Sequence, residues 1–193
     1  AALTALQILN GDIHAARSSL GESDVMTAAL AGALASQQRF DEAAALWANL
    51  PMEKRASEFA KLGELMSDQL LKAKQFRYAA QVAADRWPSE DKPSVGQLTN
   101  AGFESEVKMR SASFFEWQIG EGAQPQIGLA EGQSFVGRSN LFLLFNSFES
   151  SAFRTVSQTV AVEPNAEYEL RFHYRSDLKS LASLKFESVN ACD

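Results

Sequence analysis

Near residue 92 the apolar residues change their spacing from a helical rhythm to strict alternation, and no single layer of secondary structure satisfies both. Composition changes at the same place. Residues 1–92 hold 21 alanines, 3 phenylalanines and 4 glycines, whereas residues 93–193 hold 10 phenylalanines and 7 glycines. Alanine suits close helix packing, and aromatic residues suit a pleated surface. Between the two lies Trp87-Pro88-Ser89-Glu90-Asp91-Lys92-Pro93-Ser94, whose two prolines interrupt any helix. The expectation is a helical domain over 1–87, a linker over 88–96 and a β-domain over 97–193, an α+β multidomain chain. A length of 193 residues accommodates two small domains.

The bulk numbers exclude several classes. With 46% hydrophobic and 22% charged residues the chain is not disordered overall. Its continuously apolar stretches, such as Leu141–Phe145, are too short to cross a bilayer. A net charge of −6 argues against binding duplex nucleic acid, which needs a basic face. The lone cysteine, Cys192, makes no internal disulfide and no cysteine-based zinc site. The chain opens in helical rhythm at Ala1-Ala2-Leu3 without an initiator Met or a signal segment, so a piece of a longer protein is expected.

In the first half, residues 25–50 read as two helices with Leu30, Ala31 and Leu34 on one face of the first and Leu46, Trp47 and Leu50 on one face of the second. The break is Ser36–Arg39, and Pro51 ends the pair. Residues 56–86 repeat the plan with Phe59, Leu62, Leu65, Met66 and Leu70, a break at Lys72–Gln75, then Phe76, Ala79, Ala80 and Ala83. Gln38–Ala43 aligns with Lys74–Ala79 at an offset of 36 residues, and Gly11–Ala16 reads as an earlier copy. With a repeat of about 34 residues in that family, the array resembles tetratricopeptide (TPR) repeats. Ala31 and Ala43 match the small residues where the helices cross, and Phe40 and Phe76 match the residue opening the second helix. Thr27 and Gly63 stand where the family has Trp. The resemblance implies an α-solenoid whose groove binds a protein or peptide; the alternative is a spacer packed on its neighbour. Tyr78, Val82 and Trp87 at the end of the last helix are expected to pack onto the following domain.

In the second half, Thr155–Val162 and Glu167–Arg175 alternate, separated by the turn Glu163–Ala166. Leu141–Phe145 is continuously apolar, as in a strand covered on both faces. Phe114–Ile119, Gln126–Leu129 and Ser183–Val189 are shorter strand candidates. Asn100-Ala101-Gly102-Phe103-Glu104, then Phe115-Glu116-Trp117, then Gly137–Leu143, then Ser157-Gln158, Val162-Glu163-Pro164 and Tyr168–Phe172 follow one another in order. This order resembles family 4/9-type carbohydrate-binding modules, which have a galactose-binding-like jelly-roll fold. The resemblance implies an antiparallel β-sandwich; about eight strands are needed and six or seven are countable before Asp193, so the expectation is either a cut chain or edges covered by the helical half.

The candidate ligand-binding residues are Trp117, Gln158, Arg171, His173 and Arg175. Trp117 either stacks on a sugar ring or belongs to the core with Phe114, Phe115 and Ile119. Glu169, Arg171, His173 and Arg175 share the polar face of one strand, where they either bond hydroxyls, helped by Gln158, or form solvated cross-strand pairs. Glu104 matches a position that in the family often helps hold a structural calcium, a cation that takes six to eight oxygens. No other cofactor is expected. No catalytic motif appears, and His14 and His173 have no supported nucleophile beside them. The resulting expectation is a non-catalytic binding protein in which helical repeats present a carbohydrate-binding-like sandwich. Its expected work is in bacterial envelope or exopolysaccharide processes, with a periplasmic or extracellular setting favoured. The alternative is a protein-interaction scaffold with a structural sandwich.

Overall fold

The computed structural model describes residues 23–87, 91–132, 134–146, 153–179 and 185–190. The repeat copy at 11–16, His14, the centre of the linker at 88–90 and Cys192 lie outside the described residues. The chain gathers into two compact units, one reaching Thr99 and including Val160–Glu163, the other holding Asn100–Thr159 and the chain from Pro164. It is a mixed α and β protein with five helices and two small antiparallel sheets among the described residues.

In the helical unit, α1 (Asp24–Ser36) and α2 (Phe40–Ala48) form one hairpin, and α4 (Ala60–Lys72) and α5 (Phe76–Ala84) form another. The short α3 (Met52–Ala56) joins them. It was missed in the sequence because Pro51 reads as a stop; here its carbonyl also accepts the N–H groups of Lys54 and Arg55, both at 3.0 Å, and so opens a new turn. The two hairpins turn by the same device. Gln38 and Lys74, 36 residues apart, take left-handed backbone at φ 61° and 57°. The next N–H closes a six-residue loop in each, Arg39 to the Leu34 carbonyl at 2.9 Å and Gln75 to the Leu70 carbonyl at 2.8 Å. Those bonds satisfy carbonyls that a helix end would otherwise strand.

The hairpins then stack, α1 against α4 and α2 against α5. Leu30, Leu34, Met66, Leu70 and Val82 are almost wholly buried, with alanines 31, 43, 79 and 80 at the close approaches. Two helix-interior glycines mark the tightest points. A Cβ at Gly32 would come within 3.0 Å of Leu62 Cδ1, and one at Gly63 within 2.8 Å of Trp47 Cζ2. Glycine costs a helix about 1 kcal/mol relative to alanine; here that cost admits the Trp47 indole. Leu65, placed on the buried face by its spacing, is instead 51% exposed, because the contact face of α4 rotates toward Met66 and Gly63. Val82 and Tyr78, expected to lack cover within the repeats, find it there. Val82 is buried against the same pocket, and the Tyr78 hydroxyl donates to Asp41.

The indole of Trp47 donates through Nε1 to Asp85 Oδ2 at 2.7 Å, and Arg55 Nη1 pairs with the same carboxylate at 2.9 Å. Asp85 and Arg55 retain only 8% and 17% side-chain exposure. One carboxylate thereby ties α2, α3 and the end of α5. Residues 160–163 complete this unit: Ala161 is buried, its carbonyl accepts from Gly96 N–H at 2.7 Å, and Glu163 pairs with Arg77 at 3.6 Å.

The second unit contains four short strands. β1 (Gln118–Ile119) pairs antiparallel with β4 (Val156–Ser157), and β2 (Gln126–Glu131) with β3 (Ser139–Leu144). In the second ladder Gly128 lies directly opposite Phe142, whose ring fills the space above it; a Cβ there would stand 2.7 Å from Phe142 Cε1. Three expectations are corrected here. Leu141–Phe145 is not covered on both faces: β3 pairs only with β2 among the described residues, and Phe142, Leu143 and Leu144 are exposed. Glu167–Arg175 alternates in sequence but joins no ladder among the described residues and is exposed throughout. Of Phe114–Ile119 and Thr155–Val162 only the two-residue stretches β1 and β4 are strand, because side-chain and turn bonds at Ser113–Glu116 and the Ala161 contact with Gly96 take the remaining backbone elsewhere.

Asp85→Ala should lower the stability of the helical unit by about 3 kcal/mol, since it leaves a mostly buried guanidinium and an indole N–H without their acceptor; chemical denaturation followed by helical circular dichroism measures this. Gln38→Gly and Lys74→Gly should each raise stability by up to about 1 kcal/mol, because glycine removes the left-handed penalty. An unchanged denaturation midpoint for both glycine variants would contradict the turn geometry.

Candidate functional site

The loop Asn100–Ser105 is built around one carboxamide. Asn100 Nδ2 donates to the Ser105 carbonyl at 2.8 Å, and Asn100 Oδ1 accepts the Ser105 N–H at 3.0 Å. Its own carbonyl accepts the Phe103 N–H and the Trp117 Nε1–H, both at 3.1 Å. Asn100 and Phe103 take left-handed backbone at φ 50° and 57°. Asparagine tolerates that conformation, whereas for Phe103 it is costly. The cost is met by stacking: the Phe103 and Trp117 rings lie 5.0 Å apart, inclined by 30°.

This loop carries Glu104 to the turn before β3. Glu104 Oε1 accepts the main-chain N–H groups of Arg138 at 2.7 Å and Ser139 at 3.0 Å. Gly137, at φ 78°, makes room, since a Cβ there would overlap Glu104 Oε1. The Ser139 N–H, then the Arg138 N–H, hold the Glu104 carboxyl below its usual range. Two sequence motifs 35 residues apart, Asn100–Glu104 and Gly137–Ser139, thus meet in space. The arrangement does not suit the calcium expected at Glu104. Its carboxylate faces two N–H donors and, at 3.8 Å, the Arg138 guanidinium, whereas calcium needs a shell of oxygens. Among the described residues no cluster of three or more His, Cys, Asp or Glu forms a metal site.

A second carboxylate, Glu116, fixes the segment before Trp117. It accepts from Lys108 Nζ at 2.8 and 3.0 Å and from the Ser113 N–H at 2.7 Å. Burial pushes its carboxyl upward, but Lys108 and the Ser113 N–H outweigh that and the net displacement is downward.

The other candidate residues lie along 158–175. Gln158 is half-buried just beyond β4. Arg171 Nη2 pairs with Glu169 Oε2 at 2.7 Å. The His173 ring stacks on Phe135 at 3.6 Å, inclined by 16°, and Arg175 is exposed. On the alternate positions Phe172 stacks on Phe186 at 4.1 Å, with Tyr174 beside them at 6.0 and 6.3 Å. These rings stay open to solvent, Tyr174 at 71% and Phe186 at 58%. By their contacts the candidate residues fall into two groups: Trp117 belongs with Asn100 and Phe103, and Arg171 and His173 with Glu169 and Phe135. The Trp117 ring is half-buried and one neighbour already occupies it, which leans toward the structural reading. Neither Phe135 nor Phe186 is singled out in the sequence as a site residue: Phe135 stands outside any alternating run, and Phe186 lies within the strand candidate Ser183–Val189. Exposed aromatic faces beside arginine donors and a glutamate acceptor can stack on an apolar ring face and bond its hydroxyls.

A carboxyl held low in the folded state contributes stability that is fully present above its unfolded value and drains away as pH falls through the depressed one. Glu104→Gln should therefore lower the melting temperature of the chain near neutrality, and the gap to wild type should narrow below about pH 4. Thermal melts across that range test this; a gap independent of pH would contradict it. Comparison with family models, with curated proteins and with solved structures finds no match.

Proposed function

We propose that this chain is a non-catalytic binding protein in which TPR-like helical repeats present a carbohydrate-binding-like β-sandwich domain, working in bacterial envelope or exopolysaccharide processes. The α-solenoid part of this reading is supported by the recurrence of one turn at an offset of 36 residues and by like-on-like stacking of the hairpins. The jelly-roll part is supported by the meeting of the Asn100–Glu104 and Gly137–Ser139 motifs. The observation that carries the sugar reading is the solvent-facing aromatic group Phe172, Tyr174 and Phe186, on a segment whose alternate positions carry Glu169, Arg171 and Arg175. Rings buried in a core would have favoured a purely structural domain.

The second reading, a scaffold whose helical groove takes a protein or peptide, is favoured by Val25, Met52 and Leu65, large apolar residues left exposed on the helical unit. A glycan array followed by calorimetry separates the two. Wild type should bind at least one polysaccharide, and Phe172→Ala with Tyr174→Ala should weaken that binding at least tenfold, about 1.4 kcal/mol. Absence of binding to any polysaccharide at millimolar concentration removes the carbohydrate reading and leaves the scaffold.

A further inference from the structure

Phe135 and Val136 are consecutive in the turn between β2 and β3, and they are 72% and 75% exposed. Side chains of consecutive residues point apart, so a turn lying against its domain turns one of such a pair inward. Here both stand clear. The turn is nevertheless held firmly. Gly132 N–H donates to the Arg138 carbonyl at 2.8 Å, Asn140 Nδ2 to the Gly132 carbonyl at 2.7 Å and Ser134 Oγ to the Gly137 carbonyl at 2.7 Å. Glu104 fixes the Arg138 and Ser139 N–H groups. The His173 imidazole lies on one face of the Phe135 ring. An apolar tip is thus presented on a rigid mount, and the main-chain groups nearest its base already have partners.

The chemistry around the tip says what it fits. Gly132–Gly137 carries no charged side chain. Arg138 follows at once, and its side chain keeps 90% exposure although Glu104 lies 3.8 Å away. Arg175, also exposed, is two residues beyond His173, so its Cα lies within about 7 Å of that of the residue supporting Phe135. A pyranose suits the tip poorly, because Val136 has no flat face and His173 already takes one face of Phe135. A protein partner would need far more apolar area than two side chains supply. An apolar tip collared by guanidinium groups matches a bilayer surface, with hydrocarbon inside and phosphates outside.

We propose that Phe135 and Val136 enter the headgroup boundary of an anionic phospholipid bilayer, with Arg138 and Arg175 against the phosphates. Glu131, exposed in the last ladder pair of β2, limits entry to the turn itself. The chain's net charge of −6 does not forbid the contact, because charges more than about 8–10 Å from the surface are screened at physiological salt. Two apolar side chains alone bind weakly. The arginines supply the second signal that such surfaces need, so the contact is shallow and reversible. It uses none of Phe172, Tyr174 and Phe186 and does not rest on the sugar reading.

Co-sedimentation of the 193-residue chain with vesicles of equal parts phosphatidylglycerol and phosphatidylcholine tests this. Wild type should bind, and more weakly to phosphatidylcholine alone. Phe135→Ser with Val136→Ser should weaken binding at least tenfold. Arg138→Gln and Arg175→Gln should each cost about fivefold on the anionic vesicles and little on phosphatidylcholine. A wild type that ignores the anionic vesicles, or a double serine variant that binds them as wild type does, overturns the proposal. Vesicles left unbound while the serine pair lowers polysaccharide binding would give the tip to sugar instead. Should the serine pair disturb the fold, a polarity-sensitive fluorophore decides, attached through Val136→Cys in a Cys192→Ser background. Its emission should shift to the blue on the anionic vesicles. The same label at Gln126→Cys, exposed at the far end of β2 about 17 Å down the ladder, should not shift. Equal shifts at the two positions, or none at Val136, refute the insertion.

Discussion

The helical unit hangs on one buried carboxylate. Asp85 lies beyond the last helix, yet it receives the indole N–H of Trp47 from the first hairpin and the guanidinium of Arg55 from the helix between the hairpins. Without an acceptor there, Trp47 could not be buried beside Gly63, since a buried indole N–H needs a partner. Without Trp47 the gap above Gly63 would be empty, and the second hairpin would have nothing to stack against at that level. The arrangement is directional where alanine packing is not. Alanines permit neighbouring helices to slide, and the Asp85 hydrogen bonds select one position among those.

The helical half was legible because its signals are local. Periodicity placed both hairpins, and the 36-residue offset of Gln38–Ala43 and Lys74–Ala79 marked the repeat whose turns the structure makes alike. What spacing could not reveal was the rotation of α4 that leaves Leu65 outside, nor the role of Asp85, which reads as an ordinary acidic residue after a helix. Its partners lie 30 and 38 residues earlier in sequence. Pro51 shows the same limit from another side: it does end α2, but its carbonyl then starts a further turn that no apolar rhythm announces.

The β half was legible in its motifs and much less in its strands. Alternation over Glu167–Arg175 records what that segment would bury if paired, and pairing depends on a neighbour that periodicity does not contain. The motif residues fared differently. Asn100, Phe103, Glu104 and Trp117 interlock, and Glu104 finds its place only because Gly137 lacks a Cβ. The family resemblance implies a cation ligand at Glu104. Its true partners are backbone N–H groups, which every residue but proline carries and which therefore leave no mark in a sequence.

Phe142 lying over Gly128 has a bearing on how the β2–β3 hairpin is assembled. A ladder of this length can slide by two residues and still keep its faces, so alternation alone does not distinguish neighbouring alignments. Only one alignment gives the phenylalanine ring a vacant place; two residues either way it meets Gln126 or Ala130, each of which carries a Cβ. The glycine thus acts as a keyhole that rejects mispaired hairpins while they are still forming. A side chain at that position would do more than weaken a finished structure. It would let wrong alignments persist, and chains caught in them would carry unmatched edges into contact with one another.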